Sequence, residues 1–375
     1  MPKPADAVEL TRMLIDLDTV NPPGNEEAAA RLLGEIMREG GLDVRYHSLA
    51  EGRLSLVACL KGESAAWPLC FTGHMDTVPP GGAAWQGPPL KARLSEGRIY
   101  GRGASDMKSG LAAMTAAVLQ LAQISPRRTD VVMIFTAGEE TGSEGAFRMV
   151  RDGALPSRIG ALVVGEPSGN AAYLGHKGAL WLRCQARGKS AHGSMPDQGD
   201  NAILKGARAV LALEGLLAHD PPHPELGRPT LNVGTFNGGT KINMVPDLAD
   251  FTLDLRTVLG LDHGDLYRRV SDRMGPAVEA SRLLDLPPVL TDENDPWVRN
   301  VLSLLERKGA SSQPGYVNYF TDASALTPAL GTPPTVIIGP GEAAQAHQTD
   351  EWCEVNKIRQ AVDIYLEIAR TWCGA

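Results

Sequence analysis

The sequence predicts an α/β protein: a mostly parallel sheet with helices on both faces, interrupted by an inserted ferredoxin-like α+β domain. Three observations predict it. The chain has 375 residues, beyond the ~250–300 at which a single hydrophobic core stops growing. Helical and strand-like periodicities alternate through its first half and again near its end, the pattern of a parallel sheet covered by helices. Between residues 175 and 290 the order changes to strand, helix, strand, strand, helix, strand, which forms a supersecondary unit of its own. The expected domains are therefore 1–174 with 291–375, discontinuous in sequence, and 175–290 spliced into them.

Taken in order, residues 5–18 carry apolar side chains at helical spacing (Val8, Leu10, Met13, Leu14, Leu17) and stop at Asn21-Pro22-Pro23-Gly24, a strong breaker. A second helix over 25–39 opens with Glu26 and Glu27, the charge that suits its positive end. Strands DVRYHSLA, RLSLVACL and PLCFTG follow, and then a Pro/Gly-rich loop leading to RIYGRGASD. After a helix over 107–122 come the strands DVVMIFTA and IGALVVG. The inserted unit reads AYLGHKGALWLRCQARG, NAILKGARAVLALEGLL, TLNVGTF, ADFTLDLRTV, HGDLYRRVSDRM and a strand over 277–283. A helix over 296–308, the strand TVIIGPG and a helix over 354–372 complete the sheet domain.

Composition narrows the function class. A formal charge of −8 lacks the basic footprint that nucleic acid requires. No apolar run approaches the ~18 residues of a membrane span. The amphipathic, partly acidic N-terminal stretch does not read as a secretory signal. Five scattered cysteines without a CxxC pair fit no disulfide framework, so a cytoplasmic protein with reduced thiols is expected.

Five metal-type residues follow strand ends or a strand-derived loop: His74, Asp106, Glu140, Glu166 and His347. In open α/β sheets ligands bind beyond the carboxyl ends of the strands, so one crevice could gather all five. Three carboxylates and two neutral imidazoles sum to −3; two divalent ions bring this to +1, and an ionised Glu139 to neutrality. The mixed oxygen and nitrogen set, without thiolate, suits zinc, with cobalt or manganese as alternatives. Two such ions would lower the pKa of a shared water. Proton transfer then needs a carboxylate that is not a ligand, and Glu139 fits that role. Asp76, two residues after His74, is in position to hold the imidazole tautomer. The loop Gly101-Arg102-Gly103-Ala104-Ser105-Asp106 has Asp where a dinucleotide-binding fingerprint needs its third glycine, which excludes that class.

The blocks GHMDTVP, GRGASDMK, AGEETGS, GEPS and AHQTDEW resemble the signatures of a co-catalytic dinuclear metallohydrolase family. Acetylornithine deacetylase, succinyl-diaminopimelate desuccinylase, aminoacylase, glutamate carboxypeptidase and related dipeptidases belong to it. The resemblance implies that Asp106 bridges two ions, with Glu140 and His347 on one and His74 and Glu166 on the other. It also implies Glu139 as general base and a cis peptide after Asp106. For the inserted domain it implies a lid that also forms a homodimer. His192, in GKSAHGSMP, would steady the oxyanion, in trans. Arg256 would grip a substrate α-carboxylate, with Asn243, Thr321 and the backbone at Gly178 as further contacts. The activity so implied is metal-dependent deacylation of a small N-acyl-amino acid bearing a free carboxylate. A dipeptidase or glutamate-type carboxypeptidase with the same centre is the alternative. An inactive binding relative would have lost a ligand or the base, and all six positions are intact.

Overall fold

The structure, a computed structural model, describes residues 6–64 and 66–375. The expected start of the first helix at Ala5 lies outside the described residues. The chain divides into two compact units: Met1–Gly175 with Leu290–Tyr316 and Thr321–Ala375, and His176–Val289 with Val317–Phe320.

In chain order the strands are β1 (Asp43–Ala50), β2 (Arg53–Leu60), β3 (Leu69–His74), β4 (Arg93–Ser95), β5 (Arg98–Tyr100), β6 (Val131–Thr136), β7 (Ala161–Val164) and β8 (Tyr173–His176). The remainder are β9 (Gly178–Arg187), β10 (Thr230–Gly238), β11 (Leu248–Thr257), β12 (Val278–Leu286), β13 (Val289–Leu290), β14 (Gly315–Val317), β15 (Thr335–Ile337) and β16 (Trp352–Glu354). The helices are α1 (Ala7–Ile15), α2 (Glu27–Glu39), α3 (Ser109–Ala122), α4 (Glu144–Arg151), α5 (Ala202–Ala212), α6 (His263–Met274), α7 (Pro296–Arg307), α8 (Ala323–Ala329) and α9 (Val355–Cys373).

The large sheet runs β1-β2-β6-β3-β7-β15-β8-β13, with β14 beside β8. Its centre is parallel: β6, β3, β7 and β15 pair in register along one direction. On either side β2 and β8 join it antiparallel. The central strands LCFTGH, VVMIFT and ALVV are buried along their whole length, which is why they read as unbroken apolar runs rather than alternating ones. Helix α3 is apolar almost all round because it packs against β3 on one side and α1 and α9 on others. Its small residues permit the approach: a Cβ on Gly110 would lie 2.3 Å from the Gly165 carbonyl oxygen.

The second unit orders its strands β10-β11-β9-β12, antiparallel throughout. Strand β11 alternates buried and partly exposed positions, and its inward Phe251, Leu253 and Leu255 join Leu180, Leu182, Leu266 and Val270 in one core.

Two expectations need correction. AYLGHKGALWLRCQARG is two strands, since the chain leaves the large sheet after His176 and enters the smaller one at Gly178; apolar alternation continues across the break and conceals it. Two short helices have no counterpart in the sequence reading: α4, which starts from Ser143 in a left-handed conformation (φ 58°), and α8, which with β14 occupies the segment expected as a glycine- and tyrosine-rich loop between 308 and TVIIGPG. All five cysteines are unpaired, four of them buried. No helix among the described residues is long and apolar enough to cross a membrane.

Candidate metal centre

The four parallel strands end on one edge of the sheet, and the metal-type residues collect there. His74 closes β3, Glu139 and Glu140 follow β6, Glu166 follows β7, and His347 lies in the loop after β15. Asp106 comes from the tight turn over Ala104–Lys108 that opens α3, and its peptide bond to Met107 is cis.

The Asp106 carboxylate lies between two histidines. Its Oδ1 is 3.1 Å from His74 Nε2 and its Oδ2 is 3.5 Å from His347 Nε2. His74 Nε2 is also 3.6 Å from Glu166 Oε1, and His347 Nε2 is 3.1 Å from Glu140 Oε2. His74, Asp106 and Glu140 each offer a ligand atom within 4.8 Å of the others. Glu140 Oε1 is buried without a hydrogen-bond partner. Burial pushes the Glu166 carboxyl up to about 7, and it raises Glu140 and, more strongly, Glu139 above the ordinary carboxylate range. A cluster of nitrogen and oxygen donors, buried except on the His347 side, with an orphaned carboxylate oxygen and crowded acids, fits a divalent cation.

The neighbours of these groups fix their directions. His74 Nδ1 donates to the main-chain oxygen of Asp76 at 3.0 Å, which leaves Nε2 as the ring nitrogen that faces Asp106. The Asp76 carboxylate is farther from that nitrogen, at 3.6 Å. It accepts instead from the backbone N–H groups of Glu139 (3.1 Å) and Glu140 (3.2 Å) and from Asn21 Nδ2 (2.9 Å). Asp76 thus orients the imidazole through its carbonyl and the glutamate turn through its side chain.

Four residues of this neighbourhood have no role in the sequence reading. Asn21, read there only as part of a helix breaker, bridges Asp76 to Thr141 Oγ1 (3.0 Å). Asp322, buried at the start of α8, accepts from Thr136 Oγ1 at the end of β6. Arg102 and Glu351 form a buried ion pair at 2.7 Å. Arg102 and Glu351 left a signal, as members of the blocks GRGASDMK and AHQTDEW.

In the second unit His192 and Asn243 lie on paired segments, with Gly193 N–H donating to the Asn243 carbonyl at 2.8 Å. His192 Nδ1 accepts from Ser194 N–H at 3.2 Å, which puts the ring proton on Nε2. Arg256, on β11, holds Asp254 at 2.9 Å and lies 5.6 Å from the Phe320 ring. Gly178 pairs with Thr257 across β9 and β11, and a Cβ there would lie 2.4 Å from Thr257 Oγ1, so packing alone demands glycine. Thr321, in the first unit, is buried and accepts from Ala323 N–H at 3.1 Å. His176 is buried, and His263 is braced between Asp285 and Thr257.

A family model described as Peptidase family M20/M25/M40 matches residues 70–371. A probable succinyl-diaminopimelate desuccinylase of Staphylococcus epidermidis is 29% identical, over 98% of this chain and 98% of its own. An acetylornithine deacetylase of Erwinia tasmaniensis is 27% identical, over 98% and 97%. Among solved structures, an M20 family metallo-carboxypeptidase from Sulfolobus solfataricus aligns with a TM-score of 0.81 at 18% identity, covering 99% of this chain and 100% of that one. That last likeness is one of fold.

Proposed function

The chain belongs to peptidase family M20/M25/M40, and from that premise we propose that it is a dinuclear metal-dependent deacylase of small N-acyl-amino acids. One observation carries the reading: a single carboxylate, Asp106, turns its two oxygens toward two different histidines, the buried His74 and the exposed His347. Relatives bearing desuccinylase and deacetylase names along their full length support the choice of a deacylase.

Two ions would be held by His74 with Glu166 and by Glu140 with His347, Asp106 serving both. Zinc is the ion proposed, and the same donors would take cobalt or manganese. When bound, the ions supply Lewis acidity and lower the pKa of water. The remaining chemistry belongs to the chain. Water adds to the amide carbonyl carbon, its proton passes to Glu139, and the C–N bond breaks as Glu139 returns that proton to the departing nitrogen. Burial raises the proton affinity of Glu139, which suits a group that must both take and give a proton. His192 keeps a donor at Nε2 for the oxyanion, and we assign it to the active site of the partner subunit.

Arg256 is proposed to hold the substrate carboxylate. Asp254 engages Nε and Nη2, fixing the guanidinium plane and leaving Nη1 for the substrate. Asn243, Thr321 and the Gly178 backbone are proposed as further substrate contacts. A homodimer through the second unit is supported by β10, an edge strand with largely exposed residues, and by Leu204 and Leu211 on α5, which are 51% and 63% exposed. An unpaired strand edge of this kind invites pairing with another copy.

A panel of N-acetyl-, N-succinyl- and dipeptide substrates, assayed on protein reconstituted with zinc, cobalt or manganese, tests the reading. Preferential release of acetate or succinate supports it. Faster cleavage of dipeptides would move the protein to the exopeptidase alternative.

A further inference from the structure

We propose that Glu351, together with Arg102, is a positioning residue that locks Asp106 and the loops of both histidines into one frame; the inference rests on the metal-centre reading above. Its basis is a small three-stranded sheet, β16-β5-β4, outside the large one. Strands β5 and β16 pair antiparallel, with Trp352 opposite Tyr100. The chain entering β16 therefore runs alongside the chain leaving β5, and Gly101 N–H donates to the Glu351 carbonyl at 2.9 Å.

That register carries the Glu351 side chain into the turn bearing Asp106. Glu351 is fully buried, and both its oxygens are used. Oε1 accepts from the backbone N–H groups of Ser105 (2.8 Å) and Asp106 (2.9 Å). Oε2 accepts from Gly103 N–H (2.9 Å) and from Arg102 Nη1 (2.7 Å). Arg102, 1% exposed, extends the frame on two sides. Its Nη1 reaches the carbonyl of Gln348, the residue after His347, at 3.2 Å, and its Nη2 reaches the Pro79 carbonyl, in the loop after His74, at 3.3 Å.

Stability alone is a poor reason for this pair. Desolvation of two charges offsets much of their attraction, and apolar residues of equal volume often serve a core as well. An apolar side chain could not, however, satisfy three main-chain N–H groups that face one point in the interior. The carboxylate sets the backbone of Asp106, and the guanidinium ties that backbone to the two loops whose histidines flank it. One buried pair thereby fixes the separation of the two proposed ion positions.

The test is a Co(II) titration of metal-depleted protein, read by calorimetry and by visible absorption, on wild type, Glu351→Gln and Glu354→Gln. Glutamine keeps the size of Glu351 but turns an amide donor toward groups that are themselves donors. Loss of an outer partner of this kind lowers metal affinity about 10–100-fold, and the expected result for Glu351→Gln is that loss with a shifted visible band and an unchanged circular dichroism spectrum. Glu354, a partly exposed acid near Arg98 (3.7 Å), should give the wild-type isotherm when changed. A folded Glu351→Gln with wild-type affinity and spectrum overturns the proposal. Should that variant fail to fold, Arg102→Lys keeps the charge but loses the fork to Gln348 and Pro79. Weakened, spectrally altered Co(II) binding is then expected of it, and a wild-type isotherm overturns the proposal. Wild-type protein that binds no Co(II) removes the metal-centre reading, and this inference with it, and is distinguishable because it fails before any variant is compared.

Discussion

Glu139 and Glu140 are adjacent in sequence and are proposed for opposite tasks, a division that their surroundings support. Both backbone N–H groups are held by Asp76, but Glu140 points an oxygen at His347, while Glu139 is buried with a raised pKa. Glu139→Gln should retain two ions per chain by elemental analysis while kcat falls about 10²–10⁴-fold, the usual worth of a general acid–base group; loss of metal with activity would instead make Glu139 a ligand. Arg256 allows a second test at this scale. Arg256→Lys keeps the charge but loses the Nε and Nη2 contacts to Asp254 that hold Nη1 in place, so KM for carboxylate-bearing substrates should rise by roughly tenfold or more with kcat little changed. Analogues lacking the carboxylate should be indifferent, and equal losses on both would remove the gripping role. The five ligand candidates were legible because each interrupts an apolar pattern at the end of a strand or at a strand-derived turn. Arg102 and Glu351 stand within GRGASDMK and AHQTDEW, but their task was not legible, because they act largely on carbonyl and N–H groups, which every residue carries; Asn21, which reaches a carboxylate and a hydroxyl, was hidden in a helix breaker.

At the scale of elements, periodicity located most strands and helices to within a few residues, since burial on one or both faces is written into side-chain choice. It failed where tertiary context decides. The passage from β8 to β9 reads as one strand because both halves are apolar, although they belong to different sheets. His176 ends β8 and is fully buried, and burial holds its pKa down to about 4. The sign of the consequence follows from linkage. The unfolded imidazole takes a proton near its ordinary ~6.5 and the folded one does not, so stability present above that value is lost as pH falls toward 4. Between pH 7.5 and 5 the unfolding free energy from urea titration should therefore change less favourably in wild type than in His176→Gln, by on the order of 2 kcal/mol. Equal pH dependence in the two proteins would show that His176 does not carry it. A second element-scale case is the link from β2 to the start of α2. Arg53 pairs with the buried Glu26 at 2.9 Å and with Glu144 of α4 at 2.9 Å. Arg53→Met strands a buried carboxylate, which typically costs about 3–5 kcal/mol, a loss that a lowered urea midpoint with unchanged slope would register.

For the molecule as a whole, the open question is whether one chain is a complete catalyst. The second unit exposes β10 at the edge of a four-stranded sheet, flanked by exposed leucines of α5, and a two-fold dimer would present the same patch from both copies. If His192 serves the partner's active site, the two single variants His192→Ala and Glu139→Gln should each be inactive alone yet complement one another. In a mixed dimer one active site has an intact Glu139 from its own chain and an intact His192 from the partner, while the other site lacks both. Random reassortment makes half the dimers mixed, each with one working site of two, so activity should recover to roughly a quarter of wild type. If His192 acts within its own chain, every site in the mixture lacks one group and no recovery occurs. The two arrangements thus differ by a large, directly measurable factor, provided reassortment is verified by mass spectrometry of differently tagged chains. A mixture that exchanges subunits and stays inactive would leave the metal centre of the first unit untouched while removing the partner subunit from the proposed reaction.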